Sequence, residues 1–378
     1  MTRSLLILQD SPDFGGHEAM FLRFLPTLVE RGGYDHIVVR HPASNAILAE
    51  RLRPYASANF EVEAWPFAKR RAEPYLADFR RTYARAVRQL FVTMRPTTTL
   101  LLQGRIENCA VPLLAAPRRS FLVSYVPMAH RMGELGRRAV PGDWVRKRLY
   151  RRPDRFIVPG PAVVGQVRAA GGRAPVVVAD NVVAPPALPD RARAREALAL
   201  DENARVALFL GRLDVRQKGL DILAAAIRRN ASRLGDWTFL FVGAGEGQAG
   251  LAQLSSDLAG RVDIRCSAWS DAPHAVLAAA DLLLMPSRWE GVPLVMLEAM
   301  TYAIPILASE IDVFQDYLPQ ANRVDFAQID LADAMAAAIS PPVVVAYRDR
   351  VGERLSRTDL ARSSACFVEA LRPEGDAA

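Results

Sequence analysis

Short apolar runs alternate with helix-length amphipathic stretches through the whole of this 378-residue chain. That alternation is what a parallel sheet wrapped by helices requires. In the first half the strand-like runs are Leu5–Leu8, His36–Val39, Phe60–Val62, Thr99–Leu102, Phe121–Tyr125, Arg155–Val158 and Val176–Val178. Helices are expected over His17–Arg31, Tyr75–Met94 and Pro161–Ala170. The second half repeats the rhythm, with strands at Val206–Leu210, Thr238–Val242, Val262–Cys266, Leu282–Met285 and Ile306–Ala308. Its helices are expected at Gly219–Leu234, Ala272–Ala279, Pro293–Tyr302 and Leu331–Ile339. Between the halves, Asn181–Asp190 has the proline density of a linker. The length also exceeds one ordinary core. The expected fold class is therefore α/β, with two Rossmann-like domains in tandem over residues 1–183 and 190–357. Their parallel sheets are expected to face each other across a cleft. Ligands of open α/β sheets bind beyond the carboxyl ends of the strands, so function is sought in the loops there.

Composition narrows the classes. No stretch approaches the roughly 20 apolar residues of a membrane span, and the run Leu5–Leu8 is too short for a signal peptide. Cys109, Cys266 and Cys366 are odd in number, far apart, and fit no metal or disulfide spacing. They read as buried free thiols in a reducing cytoplasm. The net charge is +7, but residues 1–180 hold 28 basic against 15 acidic groups and residues 181–378 hold 20 against 26. The basic excess peaks over Arg131–Arg155 and around Lys69-Arg70-Arg71, Arg80, Arg81, Arg85 and Arg88. Nucleic acid is one polyanion that could answer it, but no nucleic-acid motif accompanies the charge. A face docked on an anionic membrane fits better, against the plainer reading of a solvated surface. Only three of the 48 basic residues are lysine, so an arginine bias enlarges every cluster.

Several strand-end loops carry chemistry. After the first strand, Gly15-Gly16-His17-Glu18 enters a helix, and paired glycines at such a turn let backbone approach a phosphate. After Val206–Leu210, Gly211-Arg212 is followed by Lys218-Gly219, two cations able to neutralise a diphosphate leaving group without a metal. After Leu282–Met285 comes Pro286-Ser287-Arg288-Trp289-Glu290-Gly291-Val292-Pro293, running into a helix that holds Glu298. Pro293 suits the first helical position. From there to Glu298 the helix rises roughly 7–8 Å, so Glu290 and Glu298 cannot share a proton as a dyad. They can grip two parts of one long ligand while the helix N-terminus meets an anion. The glycines of Gly243-Ala244-Gly245-Glu246-Gly247 lack the final glycine of a dinucleotide fingerprint and read as a tight turn. His130 follows Phe121–Tyr125 and should lie at the site, whereas His17, His36, His41 and His274 read as structural. There is no Asp-x-Asp for a metal–diphosphate bridge, and no serine-hydrolase or Walker signature.

Together these residues resemble the retaining glycosyltransferases of family 4, which have the GT-B fold. The resemblance covers most of the chain and is strongest over Val206–Ser309. Gly15-Gly16-His17-Glu18 resembles the family's Gly-Gly-x-Glu, and Asp180-Asn181-Val182 its Pro-Asn-Gly, without the Pro and Gly. Gly211-Arg212 with Lys218-Gly219 resembles its diphosphate-binding pair, and Glu290 with Glu298 its E-x7-E segment. The resemblance implies Arg212 and Lys218 on the diphosphate, Glu290 on the transferred sugar and Glu298 on the ribose. It implies Gly15 and Gly16 against phosphate and sugar, and donor contacts from Gly291 and the backbone of Val292 and Leu294. His130 would stand beside the anomeric carbon, and the base would lie near Cys266–Trp269. The implied reaction moves a hexose, with retention, from a nucleotide diphospho-sugar co-substrate to a glycan or lipid-linked acceptor, with no metal and no further cofactor. The N-terminal domain would bind the acceptor, joined by a C-terminal helix near residues 358–373, and the second domain would bind the donor. Such a protein would be cytoplasmic or peripheral on the inner face of the membrane. One departure is Ala303-Ile304-Pro305, where the family usually has Gly before the Pro, at the helix C-cap. The alternatives are a nucleotide-sugar 2-epimerase of the same fold and a non-catalytic sugar-nucleotide-binding subunit.

Overall fold

The structure is a computed structural model that describes residues 3–70, 73–131, 133, 140–184, 186–270 and 272–373. Arg71, residues 132 and 134–139 of the basic stretch Arg131–Arg155, and Pro185 of the linker lie outside these. The chain up to Val182, with the segment from Thr358 onward, forms one compact unit, and Val183–Arg357 forms the other.

The first unit is built on strands β1 (Ser4–Leu8), β2 (His36–Pro42), β3 (Phe60–Trp65), β4 (Thr98–Leu102), β5 (Phe121–Tyr125), β6 (Arg155–Val158) and β7 (Val176–Val178). Helices α1 (Gly16–Arg31), α2 (Ala46–Leu52), α3 (Glu73–Leu76), α4 (Arg81–Met94), α5 (Ala110–Ala115), α6 (Val140–Tyr150) and α7 (Pro161–Ala169) connect them. The sheet order is β3-β2-β1-β4-β5-β6-β7, every pair parallel. β1 and β4 are buried along their whole length, as strands covered on both faces must be. The expected single helix Tyr75–Met94 is in fact two, interrupted by a 3-10 turn at Ala77–Phe79 and by Arg80. The cause is electrostatic. Arg80 donates to the fully buried Glu73 carboxylate at 2.8 Å and to the Ala68 carbonyl at 2.9 Å, and an unbroken helix would carry it away from both.

In the second unit, α8 (Arg191–Ala197) leads into β8 (Arg205–Leu210), α9 (Leu220–Arg229), β9 (Trp237–Val242), α10 (Gln248–Asp257), β10 (Asp263–Ser267) and α11 (Pro273–Ala279). There follow β11 (Leu282–Met285), α12 (Leu294–Thr301), β12 (Ile306–Ser309), α13 (Asp312–Tyr317), β13 (Arg323–Val324), α14 (Leu331–Ala338) and α15 (Pro341–Ser356). The order is β10-β9-β8-β11-β12-β13, again parallel throughout. In both sheets the strand order reverses once, between β1 and β4 and between β8 and β11, and such switch points are where ligands enter.

The last helix, α16 (Leu360–Glu369), packs in the first unit against α1 and β7. Phe367 is fully buried, stacks on Phe24 at 4.8 Å and meets Tyr125 edge-on at 5.8 Å. The carbonyls just after the helix are held by side chains of β4, β6 and the loop before β2. Thr98 and Tyr34 donate to Leu371 at 2.9 and 2.7 Å, and Arg155 to Ala370 and Arg372 at 3.0 and 2.8 Å.

Two details of α12 differ from expectation. Pro293 has extended ψ and caps the helix, which begins at Leu294. At the other end Ala303 takes φ +54, the left-handed region. There its N–H bonds Met300 O at 3.0 Å and Ile304 N–H bonds Ala299 O at 2.9 Å, the doubled bond of a Schellman cap. The cap therefore forms without its usual glycine, and alanine bears the strain. Ala303→Gly is expected to raise stability by about 1 kcal/mol in a denaturant melt; a loss of stability would mean that the methyl packs more than it strains.

Candidate functional site

In the second unit the loops leaving β8 and β11, the two strands at the switch point, are pressed together by backbone. Gly219, the cap of α9, has φ +66, and a Cβ there would lie 2.0 Å from the Pro286 carbonyl oxygen. Only glycine allows this approach. Arg288 N–H donates to Gln217 O at 2.9 Å, and the Arg288 guanidinium forks onto Asp221 at 2.7 and 2.8 Å. A third loop supports the first. At Gly243 a Cβ would meet Gly211 O at 1.9 Å, and Leu213 exchanges backbone bonds with Ala244 and Gly247 at 2.8 Å each. The glycine run that resembled a nucleotide fingerprint thus cradles the loop carrying Arg212.

Within this frame three of the singled-out side chains converge. Lys218 Nζ lies 2.5 Å from Glu290 Oε1, which also accepts from Ser287 Oγ at 2.7 Å. Gln217 donates Nε2 toward Glu290 Oε2 at 3.5 Å, while its Oε1 accepts from Arg212 Nη2 at 3.1 Å. Glu290, Gln217 and Ser287 are buried; Arg212 stays 60% exposed, with its Nη1 3.8 Å from Asp214 Oδ2. The result is a buried carboxylate fixed by three donors beside a cation that still has capacity for an anion. Gly291 and Val292 are buried in the loop that follows, and Leu294 opens α12, whose first N–H groups have no intrahelical acceptor. Glu298 stands half-buried further along α12; burial, with the Glu298 charge, raises the pKa of Tyr302. Of the three cysteines expected to be buried only Cys109 is; Cys266, next to last in β10, is exposed and lines an open groove of about 580 Å³ with Gln248 and Ser255, and Trp269 is exposed in the loop beyond. Gln217 and Ser287 were missed at the sequence level. Each stands next to or near a charged residue in a strand-end loop, but neither residue type announces a bridging role.

In the first unit, the remaining candidates line the corresponding strand ends. Gly15 caps α1, and its N–H donates to Glu18 Oε2 at 2.8 Å; Glu18 Oε1 accepts from Gln9 Nε2 at 2.7 Å. Glu18 is fully buried, so its work is to shape the Gly15-Gly16 turn. His17 Nδ1 sits 2.9 Å from the same carboxylate, in keeping with a structural role. His130 is nearly buried, and its loop is anchored from two sides. Arg146, whose Nε lies 2.9 Å from Glu107 Oε1, donates from Nη1 to His130 O at 2.5 Å, and Ala129 N–H donates to Gln166 Oε1 at 3.0 Å.

Asp10, just past β1, is a titratable group the sequence gave no reason to single out. It is fully buried and receives Asn108 Nδ2 at 3.3 Å across the β1–β4 switch. Desolvation, reinforced by the Glu73 charge and opposed by hydrogen bonds from Cys109 and Asn108, raises its pKa from 3.8 to about 6. The folded state therefore favours the protonated acid. That contribution is complete below the unfolded value near 4 and is lost as pH rises through about 6. Asp10→Asn is expected to exceed the natural protein in stability by up to about 3 kcal/mol at pH 8. The advantage should vanish toward pH 4 in urea melts; a pH-independent offset would contradict the assignment.

Comparison with known proteins bears on the fold and on the second unit. Residues 204–341 match the family model described as "Glycosyl transferases group 1". A phosphatidyl-myo-inositol mannosyltransferase of Mycolicibacterium smegmatis is 30% identical over 169 residues, 43% of this chain and 44% of that protein. The lipopolysaccharide core biosynthesis glycosyltransferase LpsE of Rhizobium meliloti is 26% identical over 253 residues, 66% of this chain and 71% of that protein. The alignment to the mannosyltransferase thus spans less than half of that relative's length. Among solved structures, Anabaena HepE in complex with UDP and glucose superposes with a TM-score of 0.74 at 19% identity, covering 98% of this chain and 99% of that one. The chain has the GT-B fold of these solved structures, and its residues 204–341 are similar to the glycosyl transferases group 1 model.

Proposed function

We propose that this chain is a retaining, metal-independent glycosyltransferase that moves a hexose from a nucleotide diphospho-sugar to a glycan or lipid-linked acceptor. The observation that carries this reading is the cluster at the β8–β11 switch, where Gln217 ties Arg212 to a Glu290 carboxylate already paired with Lys218. Cations beside a helix N-terminus suit a diphosphate, and a fixed carboxylate suits sugar hydroxyls. HepE, bound to UDP and glucose, supports a nucleotide-sugar donor, and the mannosyltransferase and LpsE support a glycolipid or polysaccharide acceptor.

In this reading Arg212 and Lys218 hold the diphosphate and stabilise the charge that grows as the glycosidic bond breaks. Glu290 orients the sugar. It is a poor nucleophile because Lys218 and Ser287 both stabilise its negative charge. The acceptor hydroxyl then attacks from the face the leaving group departs, and a phosphate oxygen takes its proton. Glu298 holds the ribose, and the N–H groups at Val292 and Leu294 meet phosphate or sugar. Gly16 and His130 keep the roles that the family resemblance gives them.

The test has two parts. In a thermal-shift panel of UDP-, GDP-, ADP- and dTDP-sugars, the true donor should raise the melting temperature by mass action. With that donor, Lys218→Ala and Glu290→Ala should each lower transfer on the order of a hundredfold or more while circular dichroism stays unchanged. NMR of the product should show the donor's anomeric configuration, and EDTA should leave the rate unaltered. Near-normal transfer by either variant, or an inverted product, would overturn the assigned roles; interconversion of the donor sugar would instead identify an epimerase.

A further inference from the structure

The basic excess of the first half takes a definite shape on one layer of the first unit. On α6, Leu149 and Tyr150 face the core, while Trp144, Lys147 and Arg148 are exposed at i, i+3 and i+4, and Arg151 continues the stripe at i+7. On α4, Tyr83, Val87 and Phe91 face the core, leaving Arg81, Arg85 and Arg88 outward on one stripe. Core residues of both helices join those of α5 in one cluster against the same sheet, so both stripes point away from it on the same side.

Two aromatic rings stand out from this cationic layer. Phe79 is 76% exposed and Trp144 is 74% exposed. They are linked through one ion pair. Arg148, a helical turn from Trp144, forks onto Asp78 beside Phe79 at 2.7 and 3.1 Å, and α3 packs on α6. Tyr75 and Leu76 add further exposed apolar surface next to Phe79. A soluble monomer gains nothing by holding such rings in water. Amphipathic surfaces with aromatics on a cationic ground lie in the headgroup boundary of anionic membranes.

We propose that this face docks on an anionic lipid bilayer, with Phe79 and Trp144 entering the boundary between headgroups and acyl chains. Lys147, Arg151 and the α4 arginines lie over the anionic headgroups. The arginine bias of the chain accounts for charge anywhere on the surface, but not for two exposed rings set among those charges. The inference stands on this face alone and requires no assumption about the reaction.

Flotation of the full chain with vesicles tests it, using phosphatidylglycerol in phosphatidylcholine against phosphatidylcholine alone, each at low and high salt. The natural protein should float with the anionic vesicles and hardly with the neutral ones. Lys147→Glu/Arg151→Glu should lower anionic partitioning on the order of a hundredfold. Phe79→Ser/Trp144→Ser should lower it about tenfold and leave a remainder that salt abolishes. All four positions lie outside the Lys218–Glu290 cluster, so turnover of the donor in solution should be unchanged, which separates this test from that of the proposed reaction. Equal flotation on both lipids, no flotation, or variants that float like the natural protein would overturn the proposal. Capture of the natural protein by duplex DNA but not by anionic vesicles would also overturn it and assign the face to nucleic acid.

Discussion

The site of the second unit is organised around a part-buried ion pair between Lys218 and Glu290. Removing either partner takes the nearest counter-charge from the other, a cost that the partial exposure of Lys218 moderates. The pair exists because two strand-end loops approach at Gly219 and Pro286 more closely than any side chain would allow. Ser287 and Gln217 add further donors to the carboxylate, so its position is set before any ligand arrives. Arg212, bonded to Gln217 through Nη2 and 3.8 Å from Asp214 through Nη1, is the more exposed cation of the site and the part left to respond.

The first unit solves a similar problem with a different charge. There Glu18, fully buried, gathers the Gly15 N–H, Gln9 and His17 into one turn at the end of β1. Asp10, one step further in, meets Asn108 across the strand reversal. Both carboxyls are inside the layer, which leaves glycine backbone as the surface that the α1 N-terminus presents. The chain's return through α16 locks this unit from behind, with Phe367 seated among Phe21, Phe24 and Tyr125.

Much of the architecture was legible because parallel strands buried on both faces spell continuous apolar runs, as Leu5–Leu8 and Leu282–Met285 do. What escaped was set by tertiary charge or by very short elements. The apolar spacing of Tyr75–Met94 continues through Arg80, and only the distant Glu73 and Ala68 contacts break the helix there. β13 is two residues long, too short for any periodicity. α6 opens with proline and glycine and carries few apolar residues, so its pattern is faint. Among the candidate site residues, Arg212, Lys218 and Glu290 could be named from type and position, but their mutual contact could not. That contact runs through Gln217, whose amide is informative only once both loops are placed. Ala303 shows the reverse case, in which a strained conformation is retained although the residue that would relieve it is absent.

The Lys218–Glu290 pair makes a divided prediction for binding that calorimetry can read directly. Titrating the donor's nucleoside diphosphate and then the intact nucleotide sugar measures how much affinity the sugar adds. Glu290→Gln should bind the nucleoside diphosphate as the natural protein does but lose the increment due to the sugar. Lys218→Ala should weaken both ligands, on the order of a hundredfold for the nucleoside diphosphate. If Glu290→Gln weakens the two ligands equally, or Lys218→Ala binds nucleoside diphosphate undiminished, the division of labour between carboxylate and cation is wrong.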